Sequence, residues 1–529
     1  MVNRWLNRAN ARVSLTSAAA LLVSASLFGQ LLGFMRTQVV NGNFNTTGHI
    51  TTDAYFAAFK IPDFFFYTIA AGALGVAFMP FLADKLAQGD RQSVWKITSS
   101  LLNFLGILMF VVGLILLIFA EPLLRIVVGH NLTSSEMHDA VLIMRLVAFN
   151  PLLFTISGIL TSLQQTFGRF FFYALAPIIY NSCIIASVYV FKNNIGLVGL
   201  GIGALIGALL QLLIVAMGLV GLRFRYVRAI NFRSPDFRGV LRNLPPRSID
   251  QGLDSINSIV ETNRASTLKP GSITIYENAY TLHLAPILLI GTAISTAAFP
   301  RLNNRLAQGR PDLFRRDFLM VLRAIIWIVV PVVVIAFFTR GYLARLIFKN
   351  PQSGIAEALG FLTGAIFFRT IYTIISRWFY SQKDTRTPLF VSLFAIVLNI
   401  YLAFTLVKAT QDVTGLAMAQ SIVAGAEVVI LVAIMLMRDH KLFDREFWSG
   451  ISRILSVTGF TILLTYIMIT LIPFNASDRG FIKLAAKLLA VILPPMMLHI
   501  WLSALFGLEE VRPVIGKLRA IVLKPVRIQ

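Results

Sequence analysis

Long apolar runs separated by short polar turns dominate the chain. Each run is close to the about 20 residues a helix needs to cross a hydrocarbon core. The pattern predicts an all-α polytopic membrane protein with about fourteen transmembrane helices: 14–40, 52–83, 98–119, 141–164, 170–190, 195–221, 249–268, 274–298, 317–338, 355–379, 388–407, 414–437, 454–473 and 484–506. The longest polar connection, 222–248, is too short to bury a core of its own, so no soluble catalytic domain is expected.

A few spans break the apolar rule. In "TTDAYFAAFKIPDFFFYTIAAGALGVAFMP" (51–80), Asp53 and Lys60 lie two helical turns apart and share a face with Tyr67, while Asp63 sits one turn beyond Lys60. A charge at mid-helix costs about 2.5–3.5 kcal/mol on insertion scales, which argues that this face meets water or a partner. In "SIDQGLDSINSIVETNRAST" the residues Asp250, Asp254, Asn257, Glu261 and Arg264 recur at spacings of 4, 3, 4 and 3, one polar stripe along a helix. The first span carries a milder stripe of Ser26, Gln30, Gly33 and Thr37 with Arg36 beside it, and the eighth adds Glu277, Tyr280 and Thr281. These stripes are expected to line a hydrated cavity between two lobes, with Arg36, Asp53, Lys60, Arg264 and Glu277 in the outer half of the bilayer. A structural ion-pair network joining the lobes is the alternative. Arg145, Arg323 and Arg377 are expected to snorkel from helix ends.

An internal repeat organises the chain. "ALGVAFMPFLADKLAQG" (73–89) and "AISTAAFPRLNNRLAQG" (293–309) align without gaps at an offset of 220 residues, sharing Pro80/Pro300 and the whole Leu-Ala-Gln-Gly run. Both lie at the same end of the second helix of a six-helix half, so spans 1–6 and 7–12 read as parallel repeats, with a site expected at their interface. The predicted organisation is an N-lobe over 1–221, a basic linker over 222–248, a C-lobe over 249–437, a two-helix appendage over 438–506 and a basic tail over 507–529.

Composition agrees with this class: 57% of residues are hydrophobic and 13% charged, far from a soluble domain. The net charge of +23 is spread over alternate ends of the spans, from Arg4, Arg8 and Arg12 to Arg512, Lys517, Arg519, Lys524 and Arg527, whereas "NGNFNTTGHIT" (41–51) has no Lys or Arg. This is the positive-inside pattern with both termini cytoplasmic, and it argues against a nucleic-acid partner, which would need one interleaved basic and aromatic patch. Cys183 is the only cysteine, which excludes a disulfide framework. The six histidines have no ligand spacing. The "GLGIGALIG" run (199–207) follows no strand and reads as close helix packing through Gly199, Gly203 and Gly207. No nucleophile and base pair, P-loop or zinc motif appears, so the expected chemistry is transport without an enzymatic step, without a cofactor, and driven by an ion gradient or the membrane potential.

The chain resembles the MurJ (MviN) lipid II flippases of the MOP superfamily. The resemblance is carried by "LLGFMRTQVV" (31–40), "TDAYFAAFKIPD" (52–63), "GALGVAFMPFLA" (72–83), "ALAPIIYNS" (174–182), "INFRSPDFRGVLR" (230–242), "AISTAAFPRL" (293–302) and "FYSQKDTRTPLFVSLFAIVLNI" (379–400). It implies two six-helix lobes with alternating access, a groove for an undecaprenyl tail from the last two helices, and translocation of lipid II between leaflets of a bacterial inner membrane. Membrane lipids, and cell-wall synthesis proteins, are the partners it implies; Na+, H+ or another coupling ion stays open. By resemblance Arg36 and Asp53 match family site positions. Other family charges are replaced by Gln30, Thr37, Phe66, Tyr67, Ala71 and Thr281, leaving Arg36, Lys60 and Arg264 as cationic candidates beside Asp53. Another lipid-linked saccharide, a cation-coupled drug export activity or a non-transporting envelope scaffold are the alternative readings.

Overall fold

The structure, a computed structural model, describes residues 15–44, 51–71, 78–348, 353–475, 478 and 480–516. The described residues fold into helices: α1 (Leu15–Asn43), α2 (Asp53–Phe65), α3 (Met79–Ala87), α4 (Arg91–Ile118), α5 (Ala120–Val128), α6 (Ser134–Leu146), α7 (Asn150–Thr166), α8 (Phe171–Phe191), α9 (Val198–Met217), α10 (Pro235–Ser266), α11 (Ser272–Pro286), α12 (Ala293–Ala307), α13 (Pro311–Ile347), α14 (Ser353–Ser381), α15 (Arg386–Thr410), α16 (Thr414–Arg438), α17 (Arg445–Leu471) and α18 (Phe481–Leu505). Among the described residues, eleven helical segments are long and apolar enough to cross a membrane. Their exposed faces are apolar as well, as with Ile107, Phe110, Leu117 and Ile118 on α4, which suits a lipid solvent and not water. The protein is therefore a multi-pass membrane protein. The three expected spans outside these eleven are α1, the broken α2–α3 segment and α10. All three carry the polar residues singled out in sequence. In α10 the stripe lowers the hydropathy, and α2 spans only 13 residues.

The chain divides into two compact units, Met1–Thr274 with Ile347–Lys349, and Ile275–Leu346 with Asn350–Gln529. The second half of the expected linker is helical and folds with the first unit. Ser234 accepts from the Phe237 amide, Pro235 opens α10, and Phe237 and Val240 are buried in a core with Phe78, Leu82 and Trp95. Upstream, the linker backbone lies along α4: the Val227 and Asn231 amides donate to Ser99 Oγ (3.0 Å) and Ser100 Oγ (3.2 Å), and Asn103 Nδ2 donates to Val227 O (3.0 Å). The second unit has its own core around Phe318, Ile374, Trp378 and Leu431.

The repeat is visible within each unit. In the first, α2 runs into a π-helical turn at Phe66–Ala71 before α3; in the second, α11 runs into one at Ile287–Thr292 before α12. Such turns arise where Pro disturbs the i→i−4 ladder, and Pro62 and Pro286 stand just upstream. The shared Leu-Ala-Gln-Gly run ends α3 and α12 in the same way. Gly89 and Gly309 take φ of 75° and 67°, and their amides donate to Leu86 O and Leu306 O at 3.0 Å, a left-handed glycine stop. Residues 73–77 of the first copy lie outside the described residues.

The glycines of 199–207 do what their spacing predicts. A Cβ on Gly199 would stand 2.3 Å from Phe191 Cβ, and one on Gly203 would stand 2.2 Å from Ser187 Oγ, so α9 and α8 touch backbone to side chain. Arg323, expected to snorkel, is instead nearly buried: its Nε lies 2.5 Å from Glu510 Oε1, with Glu446 at 4.0 Å. The segment Leu508–Val511 packs beside α13 and α17 and brings this carboxylate to it. Arg377 stacks over Phe299 at 4.8 Å, and Arg145 is exposed.

Candidate functional site

The first polar group is built where α2 begins. Asp53 is buried, and its carboxylate accepts from the Gly271 amide (2.8 Å), the Thr274 amide (2.7 Å) and the Thr274 hydroxyl (2.6 Å). These are the orphan donors at the start of α11, so Asp53 caps that helix from a distant part of the sequence. Next to it, buried Glu136 accepts from the Thr51 amide (2.9 Å) and hydroxyl (2.7 Å) through one oxygen, and from the Thr133 amide and hydroxyl through the other. Thr133 and Glu136 form a reciprocal capping box on α6. Two acidic side chains thus sit buried on backbone amides and hydroxyls, fixing the starts of α2, α6 and α11. Asp53 is spent on this cap and bonds neither Lys60 nor Arg36.

The cationic candidates stand on three different helices of the first unit, α1, α2 and α10. Arg36 on α1 is half-buried, lies within electrostatic range of the Tyr55 and Tyr180 hydroxyls, and among the described residues makes no hydrogen bond or ion pair. Asp63 and Tyr67 stand in range of Tyr180 too. The first unit therefore holds an arginine with open donor capacity within electrostatic range of two tyrosines. Lys60 on α2 donates to Ser258 Oγ on α10 at 2.8 Å. Gln30 is exposed on α1.

On α10 the stripe is internally bonded. Asn257 Nδ2 donates to Glu261 Oε1 (2.9 Å), Glu261 is buried, and Arg264 donates to Asn263 Oδ1 through Nε (3.2 Å) and Nη2 (2.6 Å). Asp254 is exposed, and the side chain of Asp250 lies outside the described residues. In the second unit Glu277 is half-buried on α11, its carbonyl accepting from Thr281 Oγ1 at 2.8 Å.

The second unit contains a charged group that the sequence analysis did not single out. Glu427, mid-way along α16 and buried, accepts from Arg369 Nη1 on α14 (2.8 Å) and from Ser392 Oγ on α15 (2.7 Å), and Tyr372 OH lies 3.1 Å from that Ser392 oxygen. The signal was present: Glu427 is the sole charge between Thr414 and Met437. It drew no notice because a lone charge has no periodicity, and its partner is 58 residues away. Among the described residues no group of three or more His, Cys, Asp or Glu could hold a metal ion.

Two units built of membrane-crossing helices with buried charged groups, repeating one helix–π-turn–helix element, define a membrane transporter fold. A solved inward-facing multidrug resistance MATE family transporter of the MOP superfamily has it, with TM-score 0.65 at 16% identity over 80% of this chain and 98% of that one. A solved lipid II flippase MurJ in an inward closed conformation gives TM-score 0.75 at 21% identity, covering 94% of this chain and 100% of that one. A family model described as lipid II flippase MurJ matches residues 48–488, and the chain belongs to that family. Among relatives, a probable lipid II flippase MurJ of Rhizobium meliloti is 24% identical over 518 residues, 94% of each chain. One of Borreliella burgdorferi is 22% identical over 432 residues, 80% of this chain and 83% of its own.

Proposed function

We propose that this protein is a flippase that carries lipid II, or a closely similar undecaprenyl-diphosphate-linked precursor, from the inner to the outer leaflet of a bacterial cytoplasmic membrane by alternating access. Its step is transport and breaks no covalent bond. The observation that carries the reading is Arg36. A half-buried guanidinium with no hydrogen bond or ion pair among the described residues has donor capacity for an anion, and a diphosphate leaving bulk water needs permanent, forked cationic donors. The Tyr55 and Tyr180 hydroxyls stand within electrostatic range of Arg36. Lys60 and Arg264 are the supporting cations. The Arg and Lys distribution supports cytoplasmic termini.

The scarcity of family charges at Gln30, Thr37, Phe66, Tyr67, Ala71 and Thr281 favours, as a second reading, a related lipid-linked saccharide as cargo. Complementation of cells depleted of their own lipid II flippase separates the two. Rescue by the wild-type chain, abolished by Arg36→Ala at matched membrane expression and partly restored by Arg36→Lys, is the expected result. Wild-type rescue by Arg36→Ala would remove Arg36 from the cargo site, and no rescue by the wild-type chain would favour the other cargo.

A further inference from the structure

We infer that a cavity at the arginine-rich end of α13 and α17 is a binding site for a zwitterionic phospholipid headgroup of the phosphoethanolamine class, separate from the cargo site and independent of what the cargo is. The cavity holds about 740 Å³ within the second unit, between the first turns of α13 and α17 and the segment 509–513. Its depth places it in the headgroup layer. α13 has 37 residues, about 55 Å of helix against a hydrocarbon core of about 30 Å, so its end projects, and no charge follows Arg323 until Arg340. Arg323 therefore marks the boundary where headgroup meets acyl chain, with the exposed Met320 on the same wall.

The lining is built of both signs. The Arg323 and Glu510 side chains are only 12% and 5% exposed, Arg323 Nε lies 2.5 Å from Glu510 Oε1, and Glu446 Oε1 stands 4.0 Å from Arg323 Nη1. Gly450 of α17 makes room for this guanidinium, since a Cβ there would stand 2.7 Å from Arg323 Cζ. The pair leaves valences open. Among the described residues Glu510 Oε2 is buried with no hydrogen-bond partner, Arg323 Nη1 and Nη2 make no hydrogen bond, and the exposed Arg316 in the same lining makes neither hydrogen bond nor ion pair. Arg315 and Asp444 are already used, the first paired with Asp439 at 2.8 Å and the second capping α17. A ligand that completes the site must bring an acceptor to the arginines and a donor to a buried carboxylate oxygen. A phosphate alone would leave Glu510 Oε2 orphaned beside a like charge, and a lone cation would leave the guanidinium donors unused. A choline headgroup has both charges but no N–H to donate. An ethanolamine headgroup meets every requirement: its phosphate oxygens accept from Arg323 and Arg316, and its ammonium donates to Glu510 Oε2 and to the exposed Glu446. A polyprenyl tail would satisfy none of these groups. Bound there, the headgroup ties α13 to α17 and to the segment that follows α18.

The test uses the full-length protein in detergent, with the apparent Kd of the first added lipid read by native mass spectrometry, a readout that needs no transport. Phosphatidylethanolamine, phosphatidylcholine and phosphatidylglycerol with identical acyl chains are compared, and glycerophosphoethanolamine supplies the same headgroup without a membrane anchor. The wild type should bind phosphatidylethanolamine at least about tenfold more tightly than either other lipid, the worth of one charge-assisted hydrogen bond. Glu510→Gln should bring phosphatidylethanolamine and phosphatidylcholine close together. Arg316→Gln, which removes an exposed side chain with no partner in the fold, should weaken phosphatidylethanolamine about two- to fivefold with the melting temperature unchanged. Equal binding of all the lipids by the wild type, a preference for phosphatidylglycerol, or an ethanolamine preference undiminished in Glu510→Gln would overturn the proposal. So would glycerophosphoethanolamine competing as well as the intact lipid, which would assign the cavity to a soluble ligand. Should Glu510→Gln fail to insert, unchanged phosphatidylethanolamine affinity in Arg316→Gln would overturn it alone.

Discussion

Replacing Asp53 by Ala removes one side chain and orphans the donors of another helix. The Gly271 and Thr274 amides, at 2.8 and 2.7 Å from the carboxylate, lose their acceptor in a buried place, while the Thr274 hydroxyl can turn to Thr52 Oγ1 at 2.9 Å. Each orphaned amide costs about 1–3 kcal/mol. Against this, the substitution relieves the cost of keeping a carboxylate buried, so the net loss is about 2–4 kcal/mol. Asp53→Asn keeps an oxygen for Thr274 but turns an NH2 toward the Gly271 amide, so it should lose roughly half as much, about 1–2 kcal/mol. The assay is thermal unfolding in detergent at fixed protein and lipid, with membrane expression measured beside it. The expected order of melting temperature is wild type, Asp53→Asn, Asp53→Ala, with the remaining inserted protein still competent in complementation at low temperature. An Asp53→Ala protein that melts like the wild type yet fails to complement would refute the capping argument and return Asp53 to the cargo site.

Gly203→Leu should drive α9 off α8, because even a Cβ would meet Ser187 Oγ at 2.2 Å; the expected result is low membrane yield, and normal yield and melting would contradict the packing. Asp384, in the turn between α14 and α15, accepts from the Thr387 amide (3.0 Å) and hydroxyl (2.6 Å) and pairs with Arg438 at 2.7 Å. Burial pushes its carboxyl up, but these partners outweigh burial and hold it at about 2. Since the folded value lies below the unfolded value of about 3.9, its stabilisation is complete above pH of about 4 and is lost as pH falls through about 2. Asp384→Asn should melt lower than wild type at neutral pH and show a smaller loss on acidification, read by melting curves across that window.

Periodicity alone determined the class and much of the architecture. Run length of apolar residues sets a helix's reach across lipid, so eleven spans agree with it, and the duplicated Leu-Ala-Gln-Gly run marks the repeat because a glycine stop is a local property of the chain. The small residues of 199–207 were legible for the same reason, since helical spacing puts Gly199, Gly203 and Gly207 on one face. The stripe on α10 was legible as a stripe, but the unit it folds with was decided by Phe237 and Val240 reaching a core that includes Phe78, Leu82 and Trp95, more than 100 residues upstream. Spacing puts Asp53 on one helix face with Lys60 and says nothing of what its carboxylate bonds. Only the tertiary fold brings Gly271 and Thr274 to it, and unpaired amides compete for a buried carboxylate as strongly as a lysine already bonded to Ser258. Glu427 is the single charge of its apolar run and Arg369 shares α14 with Glu357 and Arg377, and no pattern within one helix can reveal a partner on another. Sequence spacing reports what one helix shows on its faces; which buried charges meet is settled by packing between helices.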